Sequence, residues 1–262
     1  MRGVLRRLKI THKRGRDYVH SPDPEYDEKV RYIEKIIENH DSSKQVILFM
    51  DELTLKSHPS VGYDYARTNE QPRARRGIGA EKQVRLCGVI NAVSGRTDVM
   101  MRKVVSVHSI ISFYQSLSKI YPTKQILVIQ DNWPVHCHPD IIAALEKQES
   151  PFKHFLPASW KEVKPKKKYS ALNIPVQMLF LPSYASWLNP IEKVWKKLKQ
   201  EKVHQHTHRH DFTELKQAAE KWFQPLLNGS EELLKYVGLK KEGSFYAKAF
   251  NNNLQQFQRT VI

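Results

Sequence analysis

The chain has 262 residues, 40% of them apolar and 10% aromatic, enough to bury a core as a soluble folded domain, and it carries a net charge of +16. That charge points to nucleic acid before an anionic membrane, because a basic surface gains free energy by releasing counterions condensed on phosphate. The composition excludes a bilayer-spanning stretch, a secretory leader in the basic segment Met1 to Arg7, and a disulfide framework, since only Cys87 and Cys137 are present; a reducing, cytoplasmic and nucleoid-associated setting is expected.

In chain order, a basic lead-in with Arg6, Arg7, Lys13, Arg14 and Arg16 gives way to Ser21-Pro22-Asp23-Pro24, a turn and helix start, and then to a helical pattern over 26–39. Short apolar runs follow. They predict strands at 46–50, 84–91, 99–105, 126–129 and 176–181, with helices at 109–120 and 139–148. Three strands in succession and then strands separated by helices indicate an α/β domain with a mixed sheet flanked by helices. The run at 126–129 does not alternate, which places it centrally, buried on both faces. From Pro190 the pattern is helical, with Ile191, Val194, Trp195 and Leu198 on one stripe and Phe212, Leu215, Ala219 and Trp222 on another. Two polar segments, 56–79 and 149–175, read as loops of a length that is usually functional. The domain reading is a basic linker and helix over 1–42, a main α/β domain over 43–205 with an insertion at about 149–175, and a helical extension over 206–262.

Three carboxylates stand out by context. Asp51 follows the apolar run 46–50, Asp131 follows 126–130, and Glu192 lies one turn into the helix that opens at Asn189-Pro190. Two acids at strand ends and one at a helix start can converge, and hard oxygen ligands of this kind suit magnesium or manganese. Glu52 is assigned to a supporting or solvent position, because successive side chains on a strand point to opposite faces. Asn132 and His136 accompany Asp131 across the turn at Pro134, and His136 is placed to reach back to the crevice. Asn189 is expected to cap the helix with Pro190 at its first position. Cys137 and His138 lack the second cluster that a structural zinc site needs. The alternating His204, His206, His208 and His210 read as a solvated or DNA-facing run rather than a metal site. Arg73, Arg75, Arg76, Lys166, Lys167 and Lys168, on the two loops, are the candidate phosphate contacts.

Three blocks carry a family resemblance: Phe49-Met50-Asp51-Glu52; Ile129-Gln130-Asp131-Asn132 with His136; and Leu181-Pro182-Ser183-Tyr184 with Leu188-Asn189-Pro190-Ile191-Glu192 and Val194-Trp195. Together they resemble the catalytic blocks of mariner-type DDE transposases, particularly the bacterial insertion-sequence branch. The likeness extends over about residues 1–205, since the segment up to Pro24 resembles the linker before that family's catalytic domain. It implies an RNase H-like fold, with Asp51, Asp131 and Glu192 as ligands of two Mg2+ or Mn2+ ions. The implied activity is DNA strand cleavage and transfer of an insertion element. The implied partners are transposon-end and target DNA and a second copy of the chain.

Two departures are visible. The chain starts at what would be the last part of the family's helix-turn-helix region, so a separate helix-turn-helix protein is expected to read the element ends, unless the copy is decayed. The interval between Asp131 and Glu192 also exceeds the family's usual spacing, with the excess falling in the lysine-rich loop. A structure-directed nuclease on the same fold, and a decayed or accessory DNA-binding protein, are the rival readings.

Overall fold

The structure is a computed structural model that describes Val4, Arg7 and residues 20–63, 65–74, 79–147, 151–152, 156–204, 206–208, 211–240, 243–244 and 246–250. Strands β1 (Gln45–Lys56), β2 (Gln83–Asn91) and β3 (Thr97–Arg102) form an antiparallel meander. Strands β4 (Gln125–Gln130) and β5 (Val176–Phe180) add to it in parallel, giving the order β3-β2-β1-β4-β5. The mixed sheet flanked by helices is the one expected from the sequence.

The central strands are apolar on both faces, so each face needs its own cover. Ile47, Phe49, Leu127 and Ile129 pack with Ile33 and Ile37 of α1 (Tyr26–Glu38) and with helices from the C-terminal part of the chain. Val46, Leu48, Met50, Ile126 and Val128 pack instead with Ile110, Tyr114 and Leu117 of α2 (Val107–Ile120) and with Ile141 of α3 (Pro139–Ala144). A capping box between Ser106 and Ser109 starts α2, satisfying backbone donors that would otherwise be orphaned.

Some boundaries differ from expectation. The helix predicted over 139–148 stops at Ala144, because Leu145 turns extended and pairs with Ile174, whose N–H donates to the Ala144 carbonyl. Strand β3 spans Thr97–Arg102, two residues earlier at its start and three shorter at its end than predicted. The lysine-rich loop carries a turn of 3-10 helix at Ala158–Trp160 and a short helix, α4 (Lys167–Ser170), whose Tyr169 is buried. After α5 (Ile191–Leu198), a π-helical turn at Lys199–Val203 leads towards α6 (Phe212–Phe223) and α7 (Glu231–Val237). Leu215, Ala219, Leu233, Leu234 and Val237 from these helices join the same core as Trp195.

Candidate active site

Strand β1 does not end at Asp51. Its parallel pairing with β4 stops at Phe49 opposite Ile129, but its antiparallel pairing with β2 continues to Lys56, with Asp51 opposite Gly88. The carboxylate therefore stands just past the carboxyl edge of the parallel pair, on a strand still held by its other neighbour. Asp51 takes the face of Phe49 and Leu53, towards α5, and Glu52 takes the opposite face.

Helix α5 supplies the third acid and locks it to the strand. Asn189 does not cap the helix with its side chain; its Nδ2 donates to the Met50 carbonyl at 2.9 Å, and Pro190 is the residue preceding the first helical turn. Trp195, one turn after Glu192, is 1% exposed and donates from Nε1 to Asp51 Oδ2 at 2.9 Å. The indole has room only because position 88 lacks a side chain: a Cβ on Gly88 would stand 2.6 Å from Trp195 Cη2 and 3.0 Å from Val99 Cγ2. Sequence reasoning assigned Trp195 to packing alone. A buried indole N–H needs an acceptor, and that requirement is the signal by which a polar partner could have been sought.

Asp131 directly follows β4, and its Oδ1 accepts the Trp133 backbone N–H at 3.0 Å. Asn132 Nδ2 donates to the Leu181 carbonyl at 2.6 Å, joining this turn to the segment after β5. Asp51, Asp131 and Glu192 thus line one cleft of about 540 Å3, walled by Trp133, Pro134 and residues 181–186. Its outer wall is tied to the N-terminal segment: Ser21 Oγ donates to the Ser183 carbonyl at 2.5 Å, and the Ser183 N–H donates to Asp23 Oδ2 at 2.8 Å. The neighbouring Tyr184 is 80% exposed with φ at +56°, a left-handed conformation uncommon for an aromatic residue.

The electrostatics of the three acids are unfavourable without a cation. Burial, and then the charges of Glu192 and Glu52, push the Asp51 carboxyl up to about 8. Burial raises Asp131 despite the Trp133 N–H and His136, and burial with the charge of Asp131 raises Glu192 despite Lys199. An all-oxygen donor set whose members resist ionising together fits a hard divalent cation, which would relieve both the desolvation and the repulsion.

Glu52 is neither solvent-facing nor remote. Its side chain is 12% exposed, and its Oε1 lies 3.5 Å from His136 Nε2 and 3.6 Å from Cys87 Sγ. His136 is fully buried in a 3-10 turn (Pro134–Cys137), where it reaches back towards Asp131. A second, adjoining cleft of about 440 Å3, which also borders Asp51 and Asp131, includes Glu52 together with Arg85 and Lys103, two basic residues that the sequence did not single out. Arg73, Lys166, Lys167 and Lys168 are exposed, and Lys166 approaches Asp140 at 3.9 Å. Arg75 and Arg76 lie outside the described residues, as does His210. His204 bonds Ser60 at 2.8 Å and His208 bonds Glu214 at 3.1 Å.

A mixed sheet of this order with acids gathered at its carboxyl edge defines the class. Residues 46–216 match the DDE superfamily endonuclease family, and the chain belongs to that family. Among individual proteins, it is 24% identical over 177 residues to the Insertion element IS630 uncharacterized 39 kDa protein of Shigella sonnei, covering 67% of this chain and 44% of that one. The chain therefore spans less than half the length of that curated relative. Among solved structures, the Mos1 transposase paired-end complex with left transposon end aligns at a TM-score of 0.55 and 14% identity, covering 99% of this chain and 68% of that one. The Mos1 mariner paired end complex with Mn gives a TM-score of 0.53 at the same identity and coverage. At such identity the likeness establishes the fold, which is RNase H-like.

Proposed function

We propose that this chain is the catalytic part of an insertion-element transposase, cutting DNA strands at the element ends and joining the freed 3′ ends to target DNA. The observation that carries this reading is the convergence of Asp51, Asp131 and Glu192, from β1, the end of β4 and α5, on one cleft where burial, joined by the charges of neighbouring acids, raises all three carboxyls. In this reading the three residues are the ligands for two Mg2+ or Mn2+ ions. Such ions, when bound, supply an activated water or 3′ hydroxyl and stabilise the leaving oxygen.

The chain's own residues hold that arrangement ready. Trp195 fixes the orientation of Asp51 and leaves its other oxygen for a cation, the Trp133 N–H does the same for Asp131, and Asn189 sets the height of α5 on β1. Arg85 and Lys103 in the adjoining cleft are suited to hold a phosphate backbone close to Asp131. Tyr184 offers an exposed aromatic face at the cleft mouth for an unpaired base. Arg73, Arg75, Arg76 and Lys166 to Lys168 are proposed to track DNA further out. A homodimer on paired ends and a cytoplasmic, nucleoid-associated location complete the proposal. No helix among the described residues is long and apolar enough to cross a membrane.

The test is a cleavage and joining assay in Mg2+ or Mn2+ on a labelled duplex carrying the ends of the element that encodes the chain, beside Asp131→Asn. Nicking and joining that vanish in the variant, with DNA binding retained, support the proposal. Cleavage without joining assigns a nuclease, and binding with neither reaction assigns an accessory or decayed protein.

A further inference from the structure

Beside the main cleft, and sharing Asp131 with it, one cluster among the described residues combines carboxylates with a nitrogen ligand. Single ligand atoms of Glu52, Asp131 and His136 all lie within 4.8 Å of one another. His136 is fully buried, and neither of its ring nitrogens makes a hydrogen bond among the described residues. Its Nε2 is nevertheless aimed between the two acids, 3.5 Å from Glu52 Oε1 and 3.8 Å from Asp131 Oδ1. These separations are too long for hydrogen bonds. They approach the spacing of ligand atoms around a four-coordinate ion with bonds of about 2.0–2.2 Å, which is about 3.3–3.6 Å.

We propose that Glu52, Asp131 and His136 form a separate transition-metal site, taking Zn2+ or Mn2+ in preference to Mg2+ and sharing Asp131 with the main cleft. The preference follows from the donors: imidazole nitrogen suits borderline cations, whereas Mg2+ demands oxygen ligands and retains its waters. The second cleft reaches both carboxylates and gives the ion a way in. The Cys87 thiol donates to Glu52 Oε1 at 3.6 Å and holds that carboxylate turned towards His136. Because Glu52 and Asp51 point to opposite faces of β1, the new site lies on the α2 side of the sheet edge and the main cleft on the α5 side. An ion here competes for Asp131, so a transition metal would regulate the Mg2+-supported reaction. The proposed site shares Asp131 with the catalytic reading and adjoins Asp51, and its test does not use DNA cleavage.

The experiment uses the full chain carrying Asp51→Asn and Glu192→Gln, which removes the oxygen-only ligands while keeping this cluster. Calorimetric titration with Zn2+ should show a site that excess Mg2+ does not displace and that weakens at least tenfold on adding His136→Asn. Electron spin-echo spectroscopy of bound Mn2+ should show a directly coordinated nitrogen that the same change removes. Glu52→Gln is the second variant, expected to weaken Zn2+ at least tenfold should His136→Asn fail to fold. Undiminished Zn2+ affinity in the folded variants, or a nitrogen signal that survives His136→Asn, would place the ion elsewhere, for instance on the histidines at 204–208, and overturn the proposal. Loss of cleavage in the wild-type chain with this site intact would overturn the catalytic reading alone.

Discussion

Asp51→Asn should stabilise the metal-free protein at alkaline pH while abolishing its chemistry. The folded carboxyl is raised from 3.8 to about 8, first by burial and then by Glu192 and Glu52. Between those values the folded state holds a proton that the unfolded chain has released, so stability is complete below the lower value and is lost as pH rises through the upper one. At about 1.4 kcal/mol per unit, this one group removes on the order of 4 kcal/mol between about pH 4 and pH 7. Asparagine has no proton to lose, and its Oδ1 still accepts the Trp195 N–H. Urea unfolding in EDTA at a series of pH values should show wild-type stability falling towards pH 8 and the variant overtaking it. Mg2+ at 100 times its Kd should offset more than half of that loss in the wild type, since it adds about 2.7 kcal/mol to the state that binds it. A difference between the two proteins that is independent of pH, or a variant less stable than wild type at pH 8 in EDTA, would refute the reasoning.

Gly88→Ala forces a Cβ to within 2.6 Å of the Trp195 ring and should cost about 1–3 kcal/mol by overpacking, read by urea unfolding, with cleavage reduced because the indole orients Asp51. Trp195→Phe keeps most of the packing but removes the donor, and cleavage should fall while DNA affinity measured by filter binding stays unchanged. Asp23→Ala breaks a buried pair with Lys29, 2.8 Å long at 3% and 11% side-chain exposure, and frees Ser183, so it should cost about 3 kcal/mol in thermal unfolding and loosen the cleft wall. Replacing Lys166, Lys167 and Lys168 together by alanine should reduce the salt slope of DNA binding by about 0.9 for each phosphate that these lysines neutralise, measured by affinity over a salt series.

The sheet was legible because its strands are short, apolar and bounded by turns, and the helices because their stripes recur at 3.6-residue spacing. The far end of β1 was missed although its signal was present. Residues 52–56 alternate polar and apolar, as a strand with one buried face does, with Leu53 and Leu55 buried. Reading Asp51 as a terminus left Glu52 open between a supporting and a solvent position, and the continued strand turns it away from Asp51 to meet His136. The candidate acids were visible individually because each follows an apolar run or opens a helix. What holds them was not: Trp195 meets Asp51 across 144 positions, Asn189 meets Met50 across 139, and Asp23 meets Ser183 across 160. Contacts at such separations depend on how α5 and the N-terminal segment dock, and no local periodicity encodes them. Gly88 shows the same limit, since its lack of a side chain has meaning only once the indole above it is known.

The most direct measurement is single-turnover cleavage of a labelled element-end duplex by wild type, Glu192→Gln and Glu201→Gln in Mg2+. Glu192 lines the cleft with Asp51 and Asp131, whereas Glu201 on the following turn is bound to Lys197 and Trp222 at 2.8 and 2.7 Å. The account predicts that Glu192→Gln loses at least about 100-fold in rate while Glu201→Gln cleaves like wild type. Equal rates for Glu192→Gln and wild type would contradict it.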